Sequence, residues 1–398
     1  MSRNIALILD GSQRSALAAT RSLGKQGISV ITGSESNHAL CRHSKYSSQH
    51  VIYPSPSEFP EKFIAWLESF LRSNNIDVIL PMTDITCNIL APFSPKIDNT
   101  HIPLASLEKI QQLSNKSALM QVADSLGVPV PKTIYINNIL EIDNIKKQLS
   151  YPCVIKPALS RYLKDGEWQS TAVKIIHSEH ELEKCLTEND YLSDQPFMVQ
   201  QYIDGVGQGI FSLYDKGKEL AWFAHRRIRE KPPWGGVSVL SESIALPKEM
   251  VTLSKKLLDH VDWHGVAMIE FKVATDGTPY LIEINTRFWG SLQLAIDSGV
   301  DFPKLLFQTT ANDQKPIVKP GAYSTGNRLR WFLGDTDSLI ISLKRKKQTT
   351  FKEKLKVILK FFLSFQPKNR NEVFRFDDPK PGIFEIKEYL KQFIKAKP

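Results

Sequence analysis

At 398 residues with 42% hydrophobic side chains, the chain suits a soluble globular protein of two or three packed units. No stretch approaches the roughly 18 uninterrupted apolar residues of a membrane-spanning helix. The opening MSRNIALILDGSQRS lacks signal-peptide architecture, so a cytoplasmic location is expected. The formal charge of +9 is localised: from Ser338 to Pro398 there are 16 Lys and Arg against 6 Asp and Glu, a net of +10, which leaves the preceding residues at about −1. No aromatic-interleaved RNA signature accompanies that basic tail, and a nucleic-acid partner is not expected. Cys41, Cys87, Cys153 and Cys185 are far apart without a CxxC pair, which argues against a zinc site or a disulfide framework.

In chain order, Asn4 to Asp10 (NIALILD) reads as a buried strand, Arg14 to Gln26 as a helix and Ile28 to Thr32 as a second strand. A helix over Phe59 to Ser73 then leads to the strand IDVILPMTD, so the first hundred or so residues predict a doubly wound, Rossmann-like parallel sheet. Its first turn, Asp10-Gly11-Ser12-Gln13-Arg14, lacks the GxGxxG of a dinucleotide site. Helices are expected around Ser106 to Gln112 and Lys116 to Ser125, the second ended by Gly127, Pro129 and Pro131. The strands TIYI and PCVIKP, a helix from Glu179 to Leu186 and the strand Phe197 to Ile203 follow. Gly205, Gly207 and Gly209 suggest a flexible loop, and Gly209 to Tyr214 with Leu220 to His225 reads as a hairpin around Asp215-Lys216-Gly217.

The stretch Gly265 to Gly290 (GVAMIEFKVATDGTPYLIEINTRFWG) carries the clearest chemistry. Two strands joined at Asp276-Gly277 set Glu270 beside Glu283 and Asn285, the latter two on one face by strand alternation. Two carboxylates and an amide oxygen suit magnesium, which takes few protein ligands and completes its shell with water and phosphate. Arg287 continues the alternation toward a phosphate or carboxylate. A wet hairpin face would explain the acids too, but Met268, Ile269, Phe271, Leu281, Ile282 and Ile284 require the strands to be covered, and an uncompensated buried acidic pair is costly.

This hairpin resembles the end of the ATP-grasp domain of biotin carboxylase and its relatives, where a Glu on one strand and Glu-x-Asn-x-Arg on the next hold magnesium and phosphate. The resemblance implies metal ligation by Glu270, Glu283 and Asn285, with two Mg2+ or Mn2+ ions, and ATP phosphates held by Lys116 of Asn115-Lys116-Ser117 and Lys156 of YPCVIKP. VQQYIDG resembles the hinge strand at adenine, implying ATP contacts from Gln200, Gln201, Tyr202 and Ile203, with Asp204 or Gln208 near the ribose. Where the family often has an acid, Gln200 or Gln201 stands, so adenine would be read mainly by main-chain groups. The segment after Lys156, PALSRYLKDGEWQSTAV, is poor in glycine for a phosphate-covering lid, with Gly166 and Trp168 suggesting a bulkier contact.

The resemblance covers roughly residues 1 to 330 and is nearest to carboxylate-amine ligases related to carbamoyl-phosphate synthetase. It implies an α/β and α+β architecture: a pre-ATP-grasp Rossmann-like domain over 1–112, a two-lobed ATP-grasp domain over 113–330 with a small lid lobe at about 130–203, and a basic, partly helical extension over 331–398. The implied reaction activates a carboxylate as an acyl phosphate, which an amine attacks with release of ADP and phosphate. Arg287 and Arg227 would be catalytic, and Arg14, Asp84, Arg226 and Arg229 would face substrate. A non-catalytic or regulatory nucleotide binder, a kinase and a carboxylase stay open as alternatives. The expected partners are a small-molecule or glycan-linked carboxylate and an amine, with homodimerisation left open. The tail helix FKEKLKVILKFFLSF either covers the core through Leu355, Ile358, Leu359 and Phe362 or touches an anionic membrane at its inner face.

Overall fold

The computed structural model describes residues 4–93, 99–159, 161–164, 167–311, 314, 316, 318–344, 350–366 and 369–395. Alternation of apolar runs with amphipathic helices in the first hundred residues gives β1 (Ile5–Ile8), α1 (Arg14–Lys25), β2 (Ser29–Ser34), β3 (Gln49–Ile52), α2 (Pro60–Ser73), β4 (Val78–Leu80), α3 (Asp84–Leu90) and α4 (Leu107–Ser114). The four strands form a parallel sheet in the order β3-β2-β1-β4. Central strands of such a sheet are covered on both faces and must be apolar throughout, which is why β1 reads IALI and is almost wholly buried. β3, half polar and at the sheet edge, escaped the sequence reading for the converse reason.

Asn115 caps α5 (Lys116–Ser125), its side chain accepting from the Ala118 amide, so Lys116 is held at the first position of the helix. The small lobe comprises β5 (Thr133–Ile136), α6 (Ile142–Ile145), β6 (Cys153–Pro157), β7 (Arg161–Lys164), β8 (Glu167–Ser170), β9 (Lys174–Ile176), α7 (Glu179–Glu188), α8 (Tyr191–Asp194) and β10 (Phe197–Gln201). Four strands, ordered β5-β10-β6-β9, close over a separate apolar core around Ile155, Leu182 and Phe197. The glycine-poor segment after Lys156 folds into the hairpin β7–β8, tied down where Tyr162 and Lys164 donate to Asp194 at 2.7 Å. Gly166 lies outside the described residues.

The large lobe follows with β11 (Gly205–Asp215), β12 (Lys218–Lys231), β13 (Val237–Ser243), α9 (Lys248–His260), β14 (Gly265–Ala274), β15 (Pro279–Asn285), α10 (Leu292–Ser298), α11 (Phe302–Ala311) and β16 (Arg328–Arg330). The extension adds α12 (Phe332–Lys344), α13 (Phe351–Phe362), β17 (Asn369–Asn371) and α14 (Lys380–Lys395). A single seven-stranded sheet runs β15-β14-β11-β12-β13-β16-β17.

Three expectations are corrected here. Gly205, Gly207 and Gly209 are residues of β11 rather than a loop, and their missing side chains make room: a Cβ on Gly207 would lie 3.1 Å from Arg227 Cδ and 3.2 Å from Glu230 Oε1. The boundary at 330/331 does not separate structure, because β17 pairs with β16 inside the large sheet and Asp378 is buried against α1. Finally, α13 does not cover the core through the expected stripe: Leu355, Leu359 and Phe362 are exposed, Ile358 is half-buried, and Phe361 is the buried side chain of that helix.

Candidate active site

The hairpin β14–β15 turns at Asp276-Gly277, where Gly277 has φ 92° and Asp276 accepts from the Thr278 amide at 2.9 Å. Its register sets Glu270 opposite Glu283 and Met268 opposite Asn285, so the three oxygen-bearing side chains occupy one face. The Asn285 amide donates to Glu283 Oε1 at 3.3 Å. From outside the hairpin, Lys116 at the start of α5 meets Glu283 Oε2 at 3.4 Å. Lys156 reaches the same region from β6 of the small lobe and is only 7% exposed.

β12 supplies the remaining cation. Arg227 donates to Glu270 Oε2 at 2.5 Å, to Glu230 Oε1 at 3.1 Å and to the Gly236 carbonyl at 2.9 Å, while its Nε has no partner among the described residues. The strand is interior to the sheet, and its pairing with β13 shifts register between Arg227 and Arg229 and again before Glu230. Those irregularities put Arg227 and Glu230 on the site face and send their neighbours elsewhere. Arg226 pairs with Glu242, and Arg229 makes a two-point contact with Asp335, so neither is placed to meet a substrate as expected. Glu230 was missed, because strict alternation puts it on the wrong face.

Electrostatics follow from this crowding. Burial pushes Glu270 above the usual carboxylate range against the pull of Arg227, with the charge of Glu283 adding to the rise. Glu283 is held low: burial works against its charge, but Lys116, Lys156 and Arg227 outweigh it. Burial lowers Lys156 to about 8, opposed by Glu283 and aided by Lys116.

Arg287 sits beyond this cluster, its Nε 3.1 Å from Asp84 Oδ1 at the start of α3 and one guanidinium nitrogen donating to the Phe288 carbonyl. The two residues line a cavity of about 570 Å³ at the carboxyl edge of the parallel sheet, together with Asp10, Gln13, Arg14 and Arg161. Arg161, from the small-lobe hairpin, was not anticipated. Burial raises Asp10, whose carboxylate accepts from Thr86 Oγ1 at 2.7 Å and the Met82 amide at 2.9 Å. Arg14 lines the cavity but is already committed to Glu372 and stacks 4.0 Å over Trp331, a partner in the extension that the sequence could not reveal.

At the hinge, Gln200 is buried and donates to Thr133 Oγ1 at 2.9 Å, whereas Gln201 is exposed and its amide donates to the Lys132 carbonyl. Ile203 is buried and Asp204 exposed. Tyr202 lines a second cavity of about 420 Å³ with Gly207, Arg227, Lys272 and residues of α12 and α13. Gln208 is a correction: it pairs with Arg226 and Phe271, the latter fully buried in the core, so alternation turns it to the sheet face opposite Glu270.

No three His, Cys, Asp or Glu side chains among the described residues cluster to hold a metal on their own. The donors that do converge, Glu270, Glu283 and the Asn285 amide, are hard oxygens too few to complete a shell. They fit a magnesium ion that shares its remaining positions with phosphate and water.

Residues 193–332 match the family model described as "ATP-grasp in the biosynthetic pathway with Ter operon". The carbamoyl phosphate synthase large chain of Pyrococcus furiosus is 24% identical over 237 residues, covering 57% of this chain and 22% of that one. The present chain thus spans less than a quarter of that relative's length. Among solved structures, the L-amino acid ligase from Bacillus licheniformis superposes with a TM-score of 0.62 at 18% identity, covering 78% of this chain and 75% of that one. Biotin carboxylase from Campylobacter jejuni, solved with an ATP analogue, gives a TM-score of 0.63 at 18% identity, with 81% and 74% covered. The match spans the hinge strand and the β14–β15 hairpin, so that segment is similar to an ATP-grasp domain, and the likeness to these solved structures is one of fold.

Proposed function

We propose that the protein is an ADP-forming ligase that uses ATP to activate a carboxylate as an acyl phosphate and couples it to an amine. The observation that carries this reading is the convergence of Lys116, Lys156 and Arg227, from three separate elements, on the carboxylates of Glu270 and Glu283. Three cations around the buried Glu270 and the half-buried Glu283 make a site in which polyphosphate and a divalent ion can replace contacts the side chains now make with one another.

Glu270, Glu283 and Asn285 would hold magnesium or manganese, which when bound neutralises phosphate charge. Lys156, buried in β6, and Lys116, fixed by its helix cap, would orient the β- and γ-phosphates from two separate elements. Adenine would lie along the hinge at Gln200 to Ile203. Arg287 is placed between this cluster and the 570 Å³ cavity, so it would hold the oxygens of the acyl phosphate while the amine enters past Asp84. With Arg14 engaged by Glu372 and Arg161 contributed by the small lobe, the cavity is polar and of mixed charge, which suits a zwitterionic or amino-acid-like acceptor.

The test uses hydroxylamine as the trapping amine. An acyl phosphate is electrophilic enough to yield a hydroxamate, so a panel of carboxylic acids should include one that gives hydroxamate and ADP in equal amounts. ADP with a stable phosphorylated product that resists hydroxylamine would identify a kinase, and ADP release requiring bicarbonate a carboxylase. AMP with pyrophosphate would overturn the acyl-phosphate reading.

A further inference from the structure

The amphipathic pattern of α13 would bury its apolar stripe if the helix packed as most surface helices do. Instead the inward face of the helix consists of the buried Phe361 with the half-buried Lys354, Val357 and Ile358, and Val357, Lys360 and Phe361 wall the 420 Å³ cavity beside the hinge. Arg229 and Arg330 hold its end by donating to the Lys360 and Phe361 carbonyls, and Arg330 stacks 4.3 Å from Phe361 and from Phe365. That anchoring fixes which face looks outward. Phe351, Leu355, Leu359 and Phe362, spaced to form one stripe, are 81%, 45%, 53% and 62% exposed, and Leu363 and Phe365 extend the apolar surface past the helix end.

Large aromatic and aliphatic side chains displayed in a row are costly in water and mark a docking surface. The charge beside them identifies the occupant. Lys352, Lys356 and Lys360 run along one flank of the stripe and are exposed, in a segment whose net charge is +10. A second copy of this chain packed antiparallel on the same face would bring the two lysine rows together. An anionic lipid surface offers an apolar interior for the stripe and negative headgroups for the lysines, whose long stems reach the headgroup level while the stripe sinks below it. Among the described residues no helix is long and apolar enough to cross a membrane, so the contact is one of lying on the surface.

We propose that α13 is a docking helix for anionic membrane surfaces, with Phe351, Leu355, Leu359 and Phe362 entering the interface and Lys352, Lys356 and Lys360 facing the headgroups. The proposal does not rest on the nucleotide-site reading. The full chain is sedimented with vesicles of phosphatidylcholine alone and of mixed phosphatidylglycerol and phosphatidylcholine, at low and high salt. Binding is expected to the mixed vesicles and to weaken as salt screens the lysines. The pair Leu355→Glu and Leu359→Glu should abolish it, and because both side chains are already in water the melting temperature should stay unchanged. Lys352→Glu with Lys356→Glu, a second route that leaves the stripe intact, should weaken binding by at least about tenfold. Failure to sediment with mixed vesicles, or equal binding to phosphatidylcholine alone, would overturn the proposal. So would lipid-free self-association that the Leu355 and Leu359 substitutions remove, since the stripe would then be a contact between copies.

Discussion

Two buried arginine–carboxylate pairs in this molecule look alike at the level of charge and differ in everything else. Arg21 on α1 donates to Asp378 Oδ2 at 2.9 Å and spends its other nitrogens on the carbonyls of Glu372, Val373 and Asp378; Asp378 in turn accepts from Ser44 Oγ and the Lys45 amide. Both side chains are at most 3% exposed, and each is surrounded by partners that cannot leave, because most are main-chain groups. Arg227 and Glu270 form a shorter pair at 2.5 Å, yet Arg227 Nε lacks a partner among the described residues, burial pushes Glu270 upward, and the adjacent Glu283 is held low by two lysines from other elements. The first pair is saturated and joins the extension to the N-terminal sheet. The second is under-satisfied and is made of contacts that a ligand can exchange. A buried ion pair is therefore not informative by itself; whether its hydrogen-bonding capacity is used up separates a fastening from a site.

The contrast is sharpened most by removing charge from the second cluster. Glu283→Gln keeps the shape of the side chain and should lower magnesium-dependent turnover by about a thousandfold or more, with the melting temperature near that of the parent. Turnover by a folded Glu283→Gln protein at parental rates would end the metal assignment. Removing the partner in the first cluster should do the reverse. Asp378→Ala leaves Arg21 buried and uncompensated, at a cost of about 3–5 kcal/mol read as a lower denaturation midpoint, while the nucleotide affinity of the remaining folded protein is unchanged. If Asp378→Ala weakened ATP binding at full fold, the distinction between the clusters would fail.

A smaller effect tests the electrostatics of Lys156. With burial lowering it to about 8, this lysine begins to lose its proton just above neutral pH. Nucleotide affinity should fall as pH rises through about 8, and calorimetric titration across that range would detect it. The stability term has the opposite sign: between about 8 and the ordinary lysine value the unfolded chain binds the extra proton, so this group's contribution to folding rises with pH. Lys156→Ala should remove the pH step together with the charge-assisted phosphate bonds, each worth about 1.5–3 kcal/mol. An unchanged ATP affinity in that variant would take Lys156 out of the site.

What the sequence determined by itself was whatever depends on near neighbours. The alternation and the Asp276-Gly277 turn bring Glu270, Glu283 and Asn285 to one face, because strand pleat and turn geometry leave little choice. Asn115 caps a helix and so places Lys116, and the apolar run of β1 dictates a strand covered on both sides. Tertiary structure decided the rest. Which of Arg226, Arg227 and Arg229 enters the site depends on register shifts against β13, and Arg14 and Arg21 find their carboxylates in Glu372 and Asp378, more than 350 positions away. The outward face of α13 was undecidable from its pattern, since an amphipathic helix shows that one stripe is apolar but not what will cover it. Short-range geometry is written into residue order, whereas pairing over long loops costs chain entropy that only the assembled core can offset, so it is fixed where the whole molecule packs.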